Sequence, residues 1–177
     1  MRIDPAVSLT VALSVALLFA FAVSHKLRTR SEFQSVLRNY ELLPDQLVAP
    51  FAILLIAAEA SAVALLLMSA TRALGAALSA SLLSVYAIAM SINLVRGRAD
   101  LDCGCLGFAR RQPIRWWMAG RNLAIAALVL MAGLPTTARA LEALDLVSIG
   151  GAVISLALLY AAHALLHAVP RLSRGHA

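Results

Sequence analysis

Only 2 of the 177 residues are cysteine, too few for a scaffold held together by many disulfides. Charge is equally scarce. Charged side chains make up 14% of the chain, against about 25% in ordinary soluble domains, and a water-facing surface for a domain of this length calls for more. Aromatics reach only 6%, and the 2 Trp and 3 Tyr do not interleave with basic runs, so nucleic acid is set aside as a partner. No internal repeat stands out, and no low-complexity tract beyond an Ala/Leu bias. What is abundant is apolar: 62% of residues are hydrophobic and the mean hydropathy is +0.86. The composition is that of a chain dissolved in a bilayer.

About 20 apolar residues rising 1.5 Å each cross the hydrocarbon core. Stretches nearly free of Asp, Glu, Lys and Arg predict five spans, at about 5–24, 47–70, 73–95, 116–136 and 146–169, within a single membrane domain covering 1–177. Lipid leaves backbone polar groups no solvent partner, so Ala/Leu-rich spans are read as helices. The fold class is therefore all-α, an integral membrane helical bundle. The first span could be mistaken for a secretory signal, since Ala20-Phe21-Ala22 has the look of a cleavage site, but its apolar run exceeds the ~7–15 residues of a signal core and more spans follow. It is read as a retained helix.

Basic residues are unevenly placed. Lys26, Arg28, Arg30 and Arg38 fall in the first loop, Arg96, Arg98, Arg110, Arg111 and Arg115 in a second at 96–115, and Arg171 and Arg174 at the C-terminus; the opposite side has Arg2, Arg72 and Arg139. The charge rule puts the richer side in the cytoplasm and the N-terminus outside. Within the first loop, Thr29 and Glu32 have capping-box spacing, and Phe33, Val36, Leu37 and Tyr40 recur at i, i+3, i+4, i+7 before Pro44. This predicts an interfacial helix over about 30–42, its apolar stripe packed on the bundle or into headgroups.

Both cysteines lie in the second loop, in Asp102-Cys103-Gly104-Cys105-Leu106-Gly107. An i, i+2 pair reaches disulfide distance only where the chain bends, which Gly104 and Gly107 permit. Closing so small a ring removes little chain entropy, so stapling gains little, whereas a strained disulfide is readily reduced. Redox exchange is favoured over a structural disulfide or two inert thiols. Arg98, Arg110 and Arg111 would stabilise a thiolate while Asp100 and Asp102 oppose it. A metal site recruiting His25, His163 or His167 is the weaker alternative, because no second cysteine pair is present; none is expected. His163 and His167, at i, i+4 near the end of the fifth span, read as interfacial or packed histidines.

Glu59 lies 12 residues past Leu47, about 18 Å into the second span, and needs a partner there. Arg121 enters the fourth span from the same side, about 9 Å deep, and is the expected partner, with Asn93 and Asn122 as hydrogen-bond partners. Such a pair serves either to lock helices together or to handle protons or substrate. By this arithmetic Lys26, Asn93, Arg96, Cys103, Cys105 and Arg121 gather in one half of the bundle, as a redox loop over a polar pocket would require.

These residues form a recognisable set. His25-Lys26-Leu27-Arg28, Phe33, Leu37-Arg38-Asn39-Tyr40, Leu42-Leu43-Pro44 and Glu59 resemble the DoxX-like membrane proteins. Asn93, Arg96-Gly97-Arg98, Asp102-Cys103-Gly104-Cys105, Gly107, Pro113 and Arg121-Asn122 resemble the MauE family of methylamine utilisation proteins, from the first helix through the fourth. Leu106 departs from the family pattern, in which an aromatic is common there, but contributes no chemistry. The resemblance implies a four-helix DoxX-like core plus a fifth helix in the bacterial inner membrane. It also implies a role in processing, export or maturation of the periplasmic β (small) subunit of methylamine dehydrogenase, and a thioredoxin-like partner, MauD. Cys103 and Cys105 would be the family's redox pair, making the chain a thiol–disulfide oxidoreductase component, with Lys26, Asn93, Arg96 and Asn122 joining Glu59 and Arg121 as supporting polar residues. No cofactor is expected on this reading. The wider DoxX resemblance implies a quinone-linked oxidoreductase instead, and a non-catalytic scaffold or export factor is a third alternative. A cytoplasmic cysteine loop conflicts with a periplasmic client unless the loop reaches both faces of the bundle or the orientation is inverted. The pair would rest mostly reduced on the cytoplasmic side and oxidised on the periplasmic side.

Overall fold

The computed structural model describes residues 2–103 and 113–168, with side chains of residues 163–168 outside the description; Cys105 and the imidazoles of His163 and His167 therefore lie outside the described residues. The described residues form six α-helices: α1 (Pro5–Arg28), α2 (Arg30–Asn39), α3 (Asp45–Leu67), α4 (Arg72–Val95), α5 (Trp116–Ala132) and α6 (Ala143–Ala168). It is an all-α membrane bundle: four of the helices are long and apolar enough to cross a bilayer, and α5 is a shorter apolar helix of 17 residues.

In the core, α1 packs on α3, α3 on α4, α4 on α5 and α5 back on α1, closing a four-helix ring; α6 lies outside it against α1. Each core helix turns a stripe inward at the 3.6-residue period. In α1 the stripe is Ser8, Ala12, Val15, Phe19, Ala22 and Lys26, and in α3 it is Val48, Ala52, Leu55, Glu59, Ala62 and Leu66. The outer faces are apolar as well, with Ile53, Leu74, Ile88, Val95 and Leu158 exposed, a surface that suits lipid and not water.

Small residues set the close approaches. A Cβ on Gly75 would lie 2.6 Å from the backbone nitrogen of Leu66, and one on Gly133 would lie 3.2 Å from Ala73 Cα, so α4 crosses the ends of α3 and α5 at backbone distance.

Helix ends differ from the uncharged stretches for local reasons. α1 runs on to Arg28, because basic groups in a last turn suit the helix dipole and do not interrupt it. α5 stops at Ala132, since Gly133 caps it and Ile3 takes the following segment into an isolated bridge with Thr136. α6 starts at Ala143, its first-turn Asp145 paired with Arg139 at 2.7 Å. Arg139 also holds Asp4, the α1 N-cap, at 3.0 Å, so one guanidinium ties the N-terminal ends of α1 and α6. Thr29 does not close a capping box with Glu32: its hydroxyl donates to the His25 carbonyl at 3.0 Å, because α1 continues up to it and offers that acceptor first.

Candidate functional site

At the end of the bundle away from Arg139, α2 lies across α3 and encloses a cavity of about 180 Å³. Its walls are apolar side chains of α1, α2, α3 and α4, including Phe19, Phe33, Leu37, Leu55 and Met90. The predicted stripe of α2 supplies Phe33, Val36, Leu37 and Tyr40 to this wall. Polar or sulfur-bearing residues join them, among them Lys26, Glu59, Tyr86, Arg121, Asn122 and Cys103.

Glu59 is 1% exposed and Lys26 3% exposed, and each is carried inward by its place in the buried stripe of its helix. Lys26 Nζ donates to Glu59 Oε1 at 2.5 Å, and the Tyr86 hydroxyl donates to the same oxygen at 2.6 Å. Lys26 Nζ also lies 3.2 Å from the Tyr86 hydroxyl and 4.7 Å from the centre of the Phe33 ring. The ammonium is thus paired, hydrogen-bonded and covered by aromatic faces, the conditions under which a charge can be buried. The second carboxylate oxygen, Glu59 Oε2, makes no hydrogen bond among the described residues.

This arrangement corrects the expected pairing of Glu59 with Arg121. Both line the same cavity, but α1 offers Lys26 at the depth of Glu59, and the Arg121 guanidinium is sandwiched between the rings of Trp117, at 5.3 Å, and Tyr160, at 5.2 Å. Stacking between aromatic faces suits the flat, weakly hydrated guanidinium. Its Nε is buried and makes no hydrogen bond among the described residues. Asn93 is also not a partner of Glu59. Its Nδ2 donates to the Ala89 carbonyl of its own helix at 3.2 Å, and its backbone carbonyl accepts from Arg98 N at 2.9 Å. Asn122 is buried and reaches the cavity wall. Arg96 does not: it caps α4, exposed, beside a shallow groove with Leu123.

The cysteine loop is pinned at its two ends. Asp102 bridges Pro113, and the fully buried Ile114 donates its N–H to the Leu101 carbonyl at 2.9 Å, so the chain leaves and re-enters at one point above the cavity. Cys103 packs with Tyr40, Met90, Ile114 and Met118, its Sγ 3.9 Å from Met90 Sδ. Arg98 is not poised over the sulfur. It forms a two-point pair with Glu41, at 2.8 and 2.9 Å, and donates to the Asn39 carbonyl at 2.9 Å, fastening the base of the loop to the α2–α3 turn. Glu41 holds that turn with φ of 50°, a left-handed conformation uncommon for a side-chain-bearing residue. Burial, reinforced by the negative charge of Asp102, pushes the Tyr40 hydroxyl far above its ordinary pKa, so it remains neutral.

Sequence reasoning missed Tyr86, Trp117 and Tyr160. Tyr86 carried a usable signal: it precedes Asn93 by seven residues, two turns along one face of α4.

The family model for methylamine utilisation protein MauE matches residues 4–135, all of the four-helix ring and its loop. The chain belongs to the MauE family. A MauE relative from Paracoccus denitrificans is 38% identical over 135 residues, covering 75% of this chain and 73% of its own. MauE relatives from Methylophilus methylotrophus (40% over 127 residues, covering 72% of this chain and 65% of the relative) and Methylorubrum extorquens (37% over 134 residues, 75% and 72%) are similar over the same extent. No solved structure matches the chain. The MauE match ends shortly after α5, so α6 lies beyond it.

Proposed function

We propose that this chain serves methylamine utilisation as a bacterial inner-membrane component that matures the periplasmic β (small) subunit of methylamine dehydrogenase, and that it acts by thiol–disulfide exchange through Cys103 and Cys105. Family membership supports the pathway. The single observation supporting the chemistry is the place of Cys103, held by a pinned loop at the wall of a buried cavity, whose polar groups include a lysine–glutamate–tyrosine cluster. A cysteine serving only as a staple needs no such surroundings.

In the exchange, a thiolate of one protein attacks a disulfide sulfur of the other, a mixed disulfide forms, and the second thiol resolves it; a thioredoxin-like protein such as MauD has the matching pair.

The test is substitution of Cys103 or Cys105 by serine. Each variant accumulates in the membrane, active methylamine dehydrogenase is lost, and a variant keeping one cysteine traps a mixed disulfide with the partner. Normal maturation in the double serine variant removes this reading and leaves a scaffold or export role.

A further inference from the structure

We propose that the outer groove between α4 and α5 seats one anionic phospholipid, its acyl chain laid along α4 and its phosphate on Arg96.

The groove has a volume of about 400 Å³ and is walled by Ile88, Ile92 and Val95 of α4 and Leu123 of α5, over the smaller Ala87 and Ser91. Its shape follows from side-chain size. Ile88, Val95 and Leu123 stand 57%, 76% and 51% exposed at the edges, while Ala87 and Ser91, at i and i+4, leave a trough between the helices. Gly120 of α5 is exposed as well, and a Cβ built there would meet nothing within 4 Å, so the α5 side is also cut back. Since α6 packs on α1, across the ring from α4, no helix among the described residues covers the groove.

Length, polarity and charge select the occupant. The rise from Ala87 to Arg96 is about 14 Å, close to the ~15 Å that one leaflet contributes to the hydrocarbon core. An acyl chain in the groove thus runs from the interface to the bilayer centre. Apart from Ser91 and Arg96 the lining is apolar, which suits hydrocarbon and excludes a polar, water-borne ligand. Arg96 closes the α4 end. It is exposed and makes no ion pair among the described residues, whereas Arg98 is committed to Glu41. At the same end Arg115 and Trp116 open α5, both exposed, and Trp116 precedes Leu123 by seven residues and so shares its face.

Arginine holds phosphate through paired N–H donors, tryptophan favours the headgroup level, and basic groups at a membrane surface attract anionic lipids. Phosphatidylcholine would bring its own ammonium to this cationic rim; an anionic headgroup brings none. A second copy of the chain seated here would set its basic end beside this one, like charge against like.

Native mass spectrometry of the full-length chain, released from detergent micelles, tests the site with phosphatidylglycerol and phosphatidylcholine of the same acyl chains as probes. One phosphatidylglycerol should bind per chain, about tenfold more tightly than phosphatidylcholine. Arg96→Gln should weaken it about tenfold, the effect of losing one charge-assisted pair. Ser91→Leu, which fills the trough and keeps both arginines, should weaken it as much. Arg28→Gln, which removes an exposed cation from the same end of the bundle but outside the groove, should leave it unchanged. Arg96→Gln alters only an exposed side chain, so its outcome stands whether or not Ser91→Leu folds. Equal affinity for the two lipids, or a loss in Arg28→Gln as large as in Arg96→Gln, would overturn the proposal. So would binding indifferent to Ser91→Leu, which would mean a headgroup held on a basic surface with no seated chain. A wild-type dimer without bound lipid, split by Ser91→Leu, would give the groove to a second copy and overturn it too.

Discussion

Lys26 and Glu59 lie in the dry interior of a bundle, and their geometry is what makes that tolerable. An ion pair taken out of water gains little over apolar residues of the same shape, but removing one member strands the other charge at a cost of about 3–5 kcal/mol. Glu59→Leu and Lys26→Met should each lower stability by about that amount in detergent unfolding, while the double variant recovers most of the loss. Additive losses would show that the two residues are not coupled. At this scale the sequence was partly legible. That Glu59 needed a partner followed from its depth alone. That the partner is Lys26 did not, because Lys26 stands next to loop residues and reads as the start of a basic flank, although its seven-residue spacing from Phe19 in α1 puts it in the inward stripe. Arg121 was visible as an intramembrane charge, but aromatic rings sandwich it, and Tyr160 comes from a helix 39 positions further along, outside any local pattern.

Between helices, close contact replaces polar pairing. A Cβ on Gly75 would overlap the backbone of Leu65 and Leu66, which cannot move as a flexible side chain would. Gly75→Ala should therefore destabilise the chain by about 1–3 kcal/mol, measured by thermal unfolding, while Gly150→Ala, with open space at its Cβ, should be neutral or mildly stabilising. At the opposite end of the bundle, Arg139 clips α1 to α6. The guanidinium, with help from the Ala6 N–H, holds the Asp4 carboxyl below its usual pKa. A depressed carboxylate stabilises the fold above its unfolded pKa of about 3.9 and loses that contribution as the pH falls through the lower folded value. Wild type should then exceed Asp4→Asn in unfolding temperature at neutral pH and the gap should close below about pH 4; a gap constant with pH would mean that the charge is irrelevant. The helices themselves were readable from apolar run length, and the differences came at their ends, where Gly133, Asp145 and the continuation of α1 through His25 act through capping and pairing and not through hydropathy.

For the whole molecule, family membership and an apolar surface describe a multi-pass membrane protein of the methylamine utilisation group. The excess of Lys and Arg predicts that the cavity end faces the cytoplasm. A membrane-impermeant maleimide should then label the reduced cysteines in inverted vesicles and not in intact cells; the reverse pattern would invert the topology and bring the pair directly to a periplasmic client.

Composition and run length alone settled that this chain lives in lipid as a helical bundle, because about 20 apolar residues per crossing and self-satisfied backbones leave no other architecture. The sequence also flagged its chemistry, since polar residues are conspicuous against so apolar a background. Which face of each helix turns inward, and hence which polar groups meet, was decided by tertiary packing. In lipid the inner and outer faces are equally apolar, so hydropathy says nothing of direction, and only the close passage of one helix over another carries Lys26, Glu59, Tyr86 and Cys103 to a single cavity.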